Sequence, residues 1–100
     1  MPPAARVGDP ENHGTPLAPG PGSPDVLIGG KPAWRAFVDF AACPMTCPGT
    51  PPPPHVGGVV VDGEPTVLIN GFPAATEGDK IPESCTMNGI KKGEKSVDIG

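Results

Sequence analysis

Proline and glycine occur too often in this sequence for it to form long helices. Proline accounts for 17 and glycine for 15 of the 100 residues, and both disfavour the interior of a helix. Their combined share exceeds the roughly 25–30% above which aperiodic Pro- and Gly-rich chains tend to be disordered. An ordered fold would therefore have to be built from short strands and turns.

The aliphatic residues are gathered into short β-branched runs, which favours an ordered β fold. Each run is bounded by Gly, Pro, Asp or Asn and is too short for a globular helix. The length suits one domain spanning residues 1–100. We therefore predict a single, mainly β domain. The runs are residues 26–28, 59–61, 67–69 and 97–99.

The charge and hydropathy of the chain exclude several classes of partner. The formal net charge is −4, with only seven Lys and Arg, so there is no basic surface for nucleic acid or an anionic membrane. No run approaches the ~20 apolar residues of a membrane span, and the N-terminus lacks the apolar core of a signal peptide. We expect cytoplasmic synthesis, no nucleic-acid partner and no stable membrane insertion.

A ten-residue pattern occurs twice and predicts two hairpins. Residues 24–33 read PDVLIGGKPA and residues 65–74 read PTVLINGFPA. The dipeptides Gly29-Gly30 and Asn70-Gly71 reach positive φ at little cost, and the proline that follows fixes φ where the next segment begins. Each copy is thus expected to form a strand, a tight turn and a second strand.

A second pattern starts at the Pro-Ala of each copy and also occurs at the N-terminus. It reads PAARVGD from Pro3, PAWRAFVD from Pro32 and PAATEGD from Pro73, with one extra residue in the second copy. Three equivalent segments in one chain indicate an internal repeat. The acids from Glu77 to Asp79 are interpreted as a solvated turn without a role.

A potential metal ligand follows the Asp that ends each of these segments. His13 and Cys43 come four residues after their Asp, and Cys85 comes six residues after its own. A fourth donor, His55, follows a stiff run of four prolines that can hold it at a defined distance from Cys43. Two sulfur and two nitrogen donors suit tetrahedral zinc. We predict that these four residues bind one structural zinc ion.

Zinc would also explain how a chain with so few large apolar groups keeps one shape. The sequence has four aromatic residues, and structural zinc supplies on the order of 10 kcal/mol at neutral pH. Three Cys cannot form a full disulfide framework. The role of Cys47 is open, because it could be a buried thiol or replace Cys43 or His55 as a ligand.

In their order along the chain, these motifs closely resemble the PAAR-repeat family. The naming motif stands at Pro3 to Arg6, followed by His13-Gly14, the two strand-turn copies, the block from Cys43 to Gly58 and the Cys85 region. The resemblance implies a small conical, pseudo-threefold fold with zinc near its apex. It also implies that the base caps the trimeric β-helical spike (VgrG) of a bacterial type VI secretion system. As a monomeric cap on a trimer, such a protein aids membrane puncture and effector delivery.

The sequence departs from the family pattern at several positions. Trp34 and Phe37 stand where the motif has small residues and a Gly, and Thr76-Glu77 replaces Arg-Val. No C-terminal effector extension is expected after the segment that begins at Lys95, so effector toxins or adaptor chaperones would bind separately. We expect assembly in the cytoplasm and export at the spike tip without a signal peptide.

Two other functions stay open on the sequence alone. A small zinc-dependent hydrolase would need an open coordination position and a nearby carboxylate, such as Asp9 or Glu11. The sequence has no HExxH signature, and four protein ligands favour a closed site without catalysis. A free adaptor would bind through Trp34, Phe37 and Phe40, which are otherwise expected to form the core of one cone face.

Overall fold

The regular elements of this protein are all β-strands in the residues that its computed structural model describes. These are residues 2–46, 54–83 and 87–99, with the backbone alone described for 43–46 and 54–56. A mainly β fold is thereby confirmed. Across these ranges there is no helix with the length and hydropathy to cross a membrane. The strands are β1 (Pro3–Ala4), β2 (Pro19–Gly20), β3 (Leu27–Ile28), β4 (Lys31–Pro32), β5 (Phe40–Thr46), β6 (Pro54–Val59), β7 (Glu64–Ile69), β8 (Phe72–Ala74), β9 (Lys80–Pro82), β10 (Met87–Gly89) and β11 (Glu94–Asp98).

Two hairpins form where the ten-residue pattern predicts them. β3 pairs antiparallel with β4, and β7 with β8. The turn residues all have positive φ: 59° at Gly29, 81° at Gly30, 54° at Asn70 and 85° at Gly71. Two successive positive φ values characterise the type I′ turn, whose twist matches that of the flanking strands. The interpretation of these dipeptides is confirmed.

A third antiparallel pair, equivalent to these hairpins but without a connecting turn, joins the N-terminal and C-terminal strands. β11 pairs antiparallel with β1, and Asp98 lies opposite Pro3. This is the register that Leu27 has with Pro32 in the first hairpin. The C-terminal strand β11 thus takes the position beside β1 that β3 has beside β4 and β7 has beside β8. We call β3–β4, β7–β8 and β11–β1 the repeat hairpins.

The segments that follow the repeat hairpins are joined in a closed ring of backbone hydrogen bonds. Ala5 N donates to Ala75 O at 2.9 Å, Ala75 N to Trp34 O at 3.0 Å, and Trp34 N to Ala5 O at 2.9 Å. The three residues hold the same place in the three copies, so the ring surrounds a pseudo-threefold axis. The molecule measures 43 × 23 × 22 Å, as expected for a body elongated along such an axis.

Each ring segment leads into a second hairpin, and these three hairpins differ in length. The shortest spans residues 10–16 and is held by a bridge between Pro10 and Pro16. The other two are β9–β10 and the longer β5–β6 ribbon, whose strand β5 also pairs with β2. We call these three the distal hairpins. Their unequal lengths break the threefold symmetry that the ring establishes.

The hydrophobic core has two layers that both follow the repeat. The layer of the repeat hairpins contains three equivalent Ala and three equivalent Ile, whereas the largest side chain in the layer of the distal hairpins is that of Trp34. Small residues suit an axis on which three segments converge. The first layer consists of Ala4, Ile28, Ala33, Ile69, Ala74 and Ile99. The second consists of Ala5, Leu17, Trp34, Ala36, Ala41, Val60, Ala75, Ile81 and Ile90.

The three predicted core aromatics divide between interior and surface. Trp34 is fully buried, but Phe37 is 54% and Phe40 37% exposed. The extra residue of the second copy puts Phe37 at a φ of 69°, in the turn position that Gly8 and Gly78 occupy with φ of 91°. Interpreting these aromatics as core is therefore right for Trp34 and wrong for both phenylalanines: Phe37 lies in the turn with the extra residue, and Phe40 begins β5 outside both core layers.

Candidate metal centre

The predicted metal ligands are distributed over the three distal hairpins. His13 lies in the hairpin of residues 10–16, while Cys43 and His55 lie on β5 and β6. The register pairs Cys43 with Val56, so the backbones of Cys43 and His55 are close neighbours. Cys85 falls outside the described residues, as does Cys47. Three of the four predicted ligands thus lie on two of the distal hairpins, and the backbones of two of them, Cys43 and His55, are neighbours on paired strands.

The distal hairpins lie side by side. In the first and third, Asn12 N donates to Gly89 O at 2.9 Å, and Glu11 forms a bridge with Ile90. In the second and third, Gly58 packs directly against the carbonyl of Pro82, where a Cβ would collide. The third distal hairpin is therefore in contact with each of the other two.

An aspartate closes the turn that leads into each distal hairpin. In the first two copies it accepts a backbone hydrogen bond, from Arg6 N to Asp9 Oδ2 and from Arg35 N to Asp39 Oδ2, both 2.8 Å long. The guanidinium of the same arginine pairs with that carboxylate at 2.8 Å in the first copy and 2.9 Å in the second. These charge-assisted contacts hold the turns from which the distal hairpins of the first two copies start.

The third copy keeps the aspartate but has Thr76 in place of the arginine. Thr76 N donates to Asp79 Oδ2 at 2.7 Å. Burial raises the pKa of Asp79 from 3.8 to about 6, and the charges of Asp62 and Glu64 add to the rise. The interpretation of residues 77–79 as a solvated turn without a role is therefore wrong for Asp79, which is partly buried and holds the turn.

The first copy shows what an arginine at position 76 would contact. Arg6 pairs with Asp9, and its Nη1 also lies 3.0 Å from Glu94 Oε2. Glu94 is the first residue of β11, and Glu64 holds the same place in β7. An arginine at position 76 would therefore lie between two carboxylates.

Replacing Thr76 with Arg is expected to stabilise the fold in a pH-dependent way. The folded pKa of Asp79 lies above its unfolded value of 3.8, so the wild type loses stability as the pH rises from about 4 to about 6. A guanidinium stabilises the charged carboxylate. We expect Thr76→Arg to raise the free energy of unfolding by about 1 kcal/mol above pH 6 and by less at pH 4.

Urea unfolding at pH 4, 5 and 7.5 measures the free energy of unfolding of the variant and of the wild type. Any pH effect that the two proteins share cancels in the difference between them. Met87→Arg adds the same charge at an exposed site and is expected to change little at any pH. The expectation would be contradicted if Thr76→Arg raised the free energy of unfolding equally at pH 4 and pH 7.5, or did not raise it at all.

Buried polar groups surround His13. Its Nδ1 lies 3.4 Å from Glu83 Oε1, and the Glu83 side chain is 0% exposed. Asn88 Nδ2 donates to Glu83 Oε2 at 3.0 Å and also to Glu11 Oε1. Asn88 Oδ1 accepts from His13 N at 3.2 Å. One amide side chain thus ties the predicted ligand to two carboxylates.

Glu11 is a buried carboxylate in an apolar position. It stands where the other two copies have Ala41 and Ile81, and burial raises its pKa from 4.5 to about 7. Its Oε2 has no hydrogen-bond partner among the residues described. Because such an oxygen is stabilised by a proton or a cation, this region of the distal hairpins favours positive charge.

These surroundings fit a zinc ion. A carboxylate beside one ring nitrogen is the arrangement by which metal-bound histidines are oriented, and sulfur and nitrogen donors are the ligands of structural zinc. In the described part of the chain, no three His, Cys, Asp or Glu side chains group as an ion site. The set of His13, Cys43, His55 and Cys85 therefore stays a prediction.

Sequence reasoning missed two residues of this network, Glu83 and Asn88. A signal for the first was present, since Glu83 follows Asp79 by four residues, the same offset that separates His13 and Cys43 from their aspartates. Asn88 had no such signal, because its role depends on the pairing of β10 with β9 opposite Ile81.

Comparison with known proteins agrees with the architecture. One family model, described as the PAAR motif, matches residues 50–100, half of the chain. A search of curated proteins gives no match. The N-terminal segment outside that match enters the same hydrogen-bonded ring as the third copy inside it. The chain therefore belongs to the PAAR motif family, whose members are structural proteins related to the spike of the type VI secretion system.

Proposed function

We propose that this protein is a zinc-stabilised cap for a trimeric, VgrG-type β-helical spike. The observation that carries the proposal is the closed ring of Ala5, Trp34 and Ala75, with a repeat hairpin attached to each segment. A trimeric β-helix has three equivalent chains at its end. One polypeptide with three equivalent hairpins can match all three at once.

The repeat hairpins have the surface that such docking requires. Leu27 and Leu68 hold equivalent positions and are 62% and 60% exposed, while Asp98 holds the third position. Among the described residues, β3–β4 and β7–β8 are two-stranded sheets with unpaired outer edges. Exposed apolar side chains beside open strand edges favour addition to another β structure.

Charging the two leucines is expected to abolish docking. The double variant Leu27→Asp, Leu68→Asp reproduces the Asp98 of the third hairpin, so the fold should tolerate it. We expect binding to a purified trimeric VgrG-type spike to weaken at least about 100-fold, since two apolar contacts of about 1.5–3 kcal/mol each are lost. Isothermal titration calorimetry measures the affinity.

Phe37→Asp provides the matched control, because it adds a charge at an exposed apolar residue outside the repeat hairpins. It should leave spike binding unchanged. If the wild type did not bind the trimer, or if Phe37→Asp weakened binding as much as the double variant, the repeat hairpins would not be the docking face.

We assign no catalysis to the distal hairpins. Of the two carboxylates suggested for a zinc hydrolase, Asp9 pairs with Arg6, and Glu11 is fully buried with one oxygen accepting from Asn88. Zinc would act as a cross-link between hairpins, which stiffens a narrow region that has no room for a large core. The proposed cap is made in the cytoplasm, assembles there on the spike, and leaves the cell with it during membrane puncture.

An exposed apolar patch supports a second partner on the flank. The patch consists of Phe37, Val38, Phe40 and Val61, all at least 36% exposed, and it arises from the insertion that only the second copy has. Effector toxins or adaptor chaperones are the partners we propose for it, since exposed aromatic and aliphatic side chains are typical of protein interaction sites. Phe37→Asp would then weaken cargo binding while sparing the spike.

A further inference from the structure

We propose that Glu83 is a positioning residue for the zinc centre: its carboxylate keeps the proton of His13 on Nδ1 and thereby selects Nε2 as the nitrogen that binds the metal. This inference rests on the proposed metal centre and adds a residue outside the predicted ligand set. Its basis is the 3.4 Å separation of His13 Nδ1 and Glu83 Oε1, with both side chains largely buried.

The chemistry of imidazole makes this contact decisive. A neutral ring has one N–H and one lone pair, and the partner of the first nitrogen sets which nitrogen can donate to a metal. A carboxylate only accepts, so its neighbour Nδ1 must carry the proton. A carboxylate in this role also raises the basicity of the ligating nitrogen.

Asn88 keeps the carboxylate of Glu83 in place. It donates to Glu83 Oε2 at 3.0 Å, while its Oδ1 accepts from His13 N at 3.2 Å and from Gly89 N at 2.8 Å. The amide orientation is fixed by its neighbours, because carboxylates need a donor and backbone N–H groups need an acceptor. The same side chain therefore positions both the backbone of His13 and its carboxylate partner.

The contacts of Glu83 favour a supporting role over direct ligation. One oxygen faces His13 and the other faces Asn88, so each is already engaged by a nitrogen. Zinc would still have the four predicted sulfur and nitrogen ligands. Glu83 contributes negative charge beside the site without entering the coordination sphere.

The variant Glu83→Gln tests the role. The single side-chain oxygen of a glutamine can accept a hydrogen bond from His13 or from Asn88, but not from both. Its amide nitrogen would then face the N–H group of the other residue, and two donors repel each other. We expect zinc affinity, measured by competition with a chromophoric chelator, to fall about 10- to 100-fold. The absorption spectrum of the cobalt-substituted variant should stay that of the wild type, because no ligand is lost. Glu64→Gln removes an exposed carboxylate that bonds Thr66 and should change neither readout.

Each outcome decides the inference. Unchanged zinc affinity in Glu83→Gln would overturn it, and an altered cobalt spectrum would identify Glu83 as a ligand instead. Should the variant fail to fold, ring nitrogen shifts of His13 in the zinc-loaded wild type provide the answer. Protonated Nδ1 with metal on Nε2 supports the role, and metal on Nδ1 overturns it. A wild type that binds no zinc would instead refute the proposed metal centre itself.

Discussion

Removing the proposed zinc ion is expected to unfold this protein. Structural zinc contributes on the order of 10 kcal/mol at neutral pH, which is comparable with the whole net stability of a small domain. Among the described residues, those buried in the core layer of the repeat hairpins are Ala and Ile, and the layer of the distal hairpins buries a single aromatic side chain, Trp34. Apolar packing in so small a core therefore leaves the fold dependent on a further cross-link. We expect excess chelator to lower the melting temperature by at least about 20 °C, as measured by circular dichroism.

Two cysteine variants provide the controls for this experiment. Cys85→Ser should lose the metal and melt like the chelated wild type, whereas Cys47→Ser should keep one zinc ion and the full melting temperature. A chelated protein that melts within about 5 °C of the zinc-loaded form would contradict the structural role of the metal. Loss of zinc in Cys47→Ser would show that Cys47 is the ligand in place of Cys43 or His55.

Truncating Trp34 is expected to cost more stability than any other single core substitution. The indole is fully buried at the ring position where the other copies have Ala5 and Ala75. It also packs against backbone, since a Cβ on Gly20 would lie 2.9 Å from Trp34 Cζ3. Trp34→Ala removes the largest side chain of this layer and leaves a cavity. We therefore expect urea unfolding to show a loss of about 3–5 kcal/mol in the free energy of unfolding.

Phe37→Ala is the matched control for Trp34→Ala. It also truncates an aromatic residue of the second copy, but one that is exposed, and it leaves the positive φ in place. We expect a change within about 0.5 kcal/mol. Comparable losses for the two variants would mean that the indole does not carry the packing of this layer.

Much of the fold could be predicted because its signals are local. The dipeptides Gly29-Gly30 and Asn70-Gly71 encode type I′ turns within four residues, and the β-branched runs beside them encode the strands. The frequency of Pro and Gly excluded long helices by the same local physics. Matching segments from Pro3, Pro32 and Pro73 identified the repeat, and with it the positions that follow each Asp.

The sequence by itself therefore determined the short strands, their turns and the repeat, whereas the zinc ligands that it suggests stay a prediction. Only the tertiary structure decided that β11 completes the hairpin of β1, since a pair that spans the whole chain has no connecting turn to announce it. The burial of Glu11, the exposure of Phe37, and the joining of Glu83 to His13 through Asn88 were decided in the same way. Burial and polar contact depend on which segments meet around the axis, and a local pattern does not contain that information.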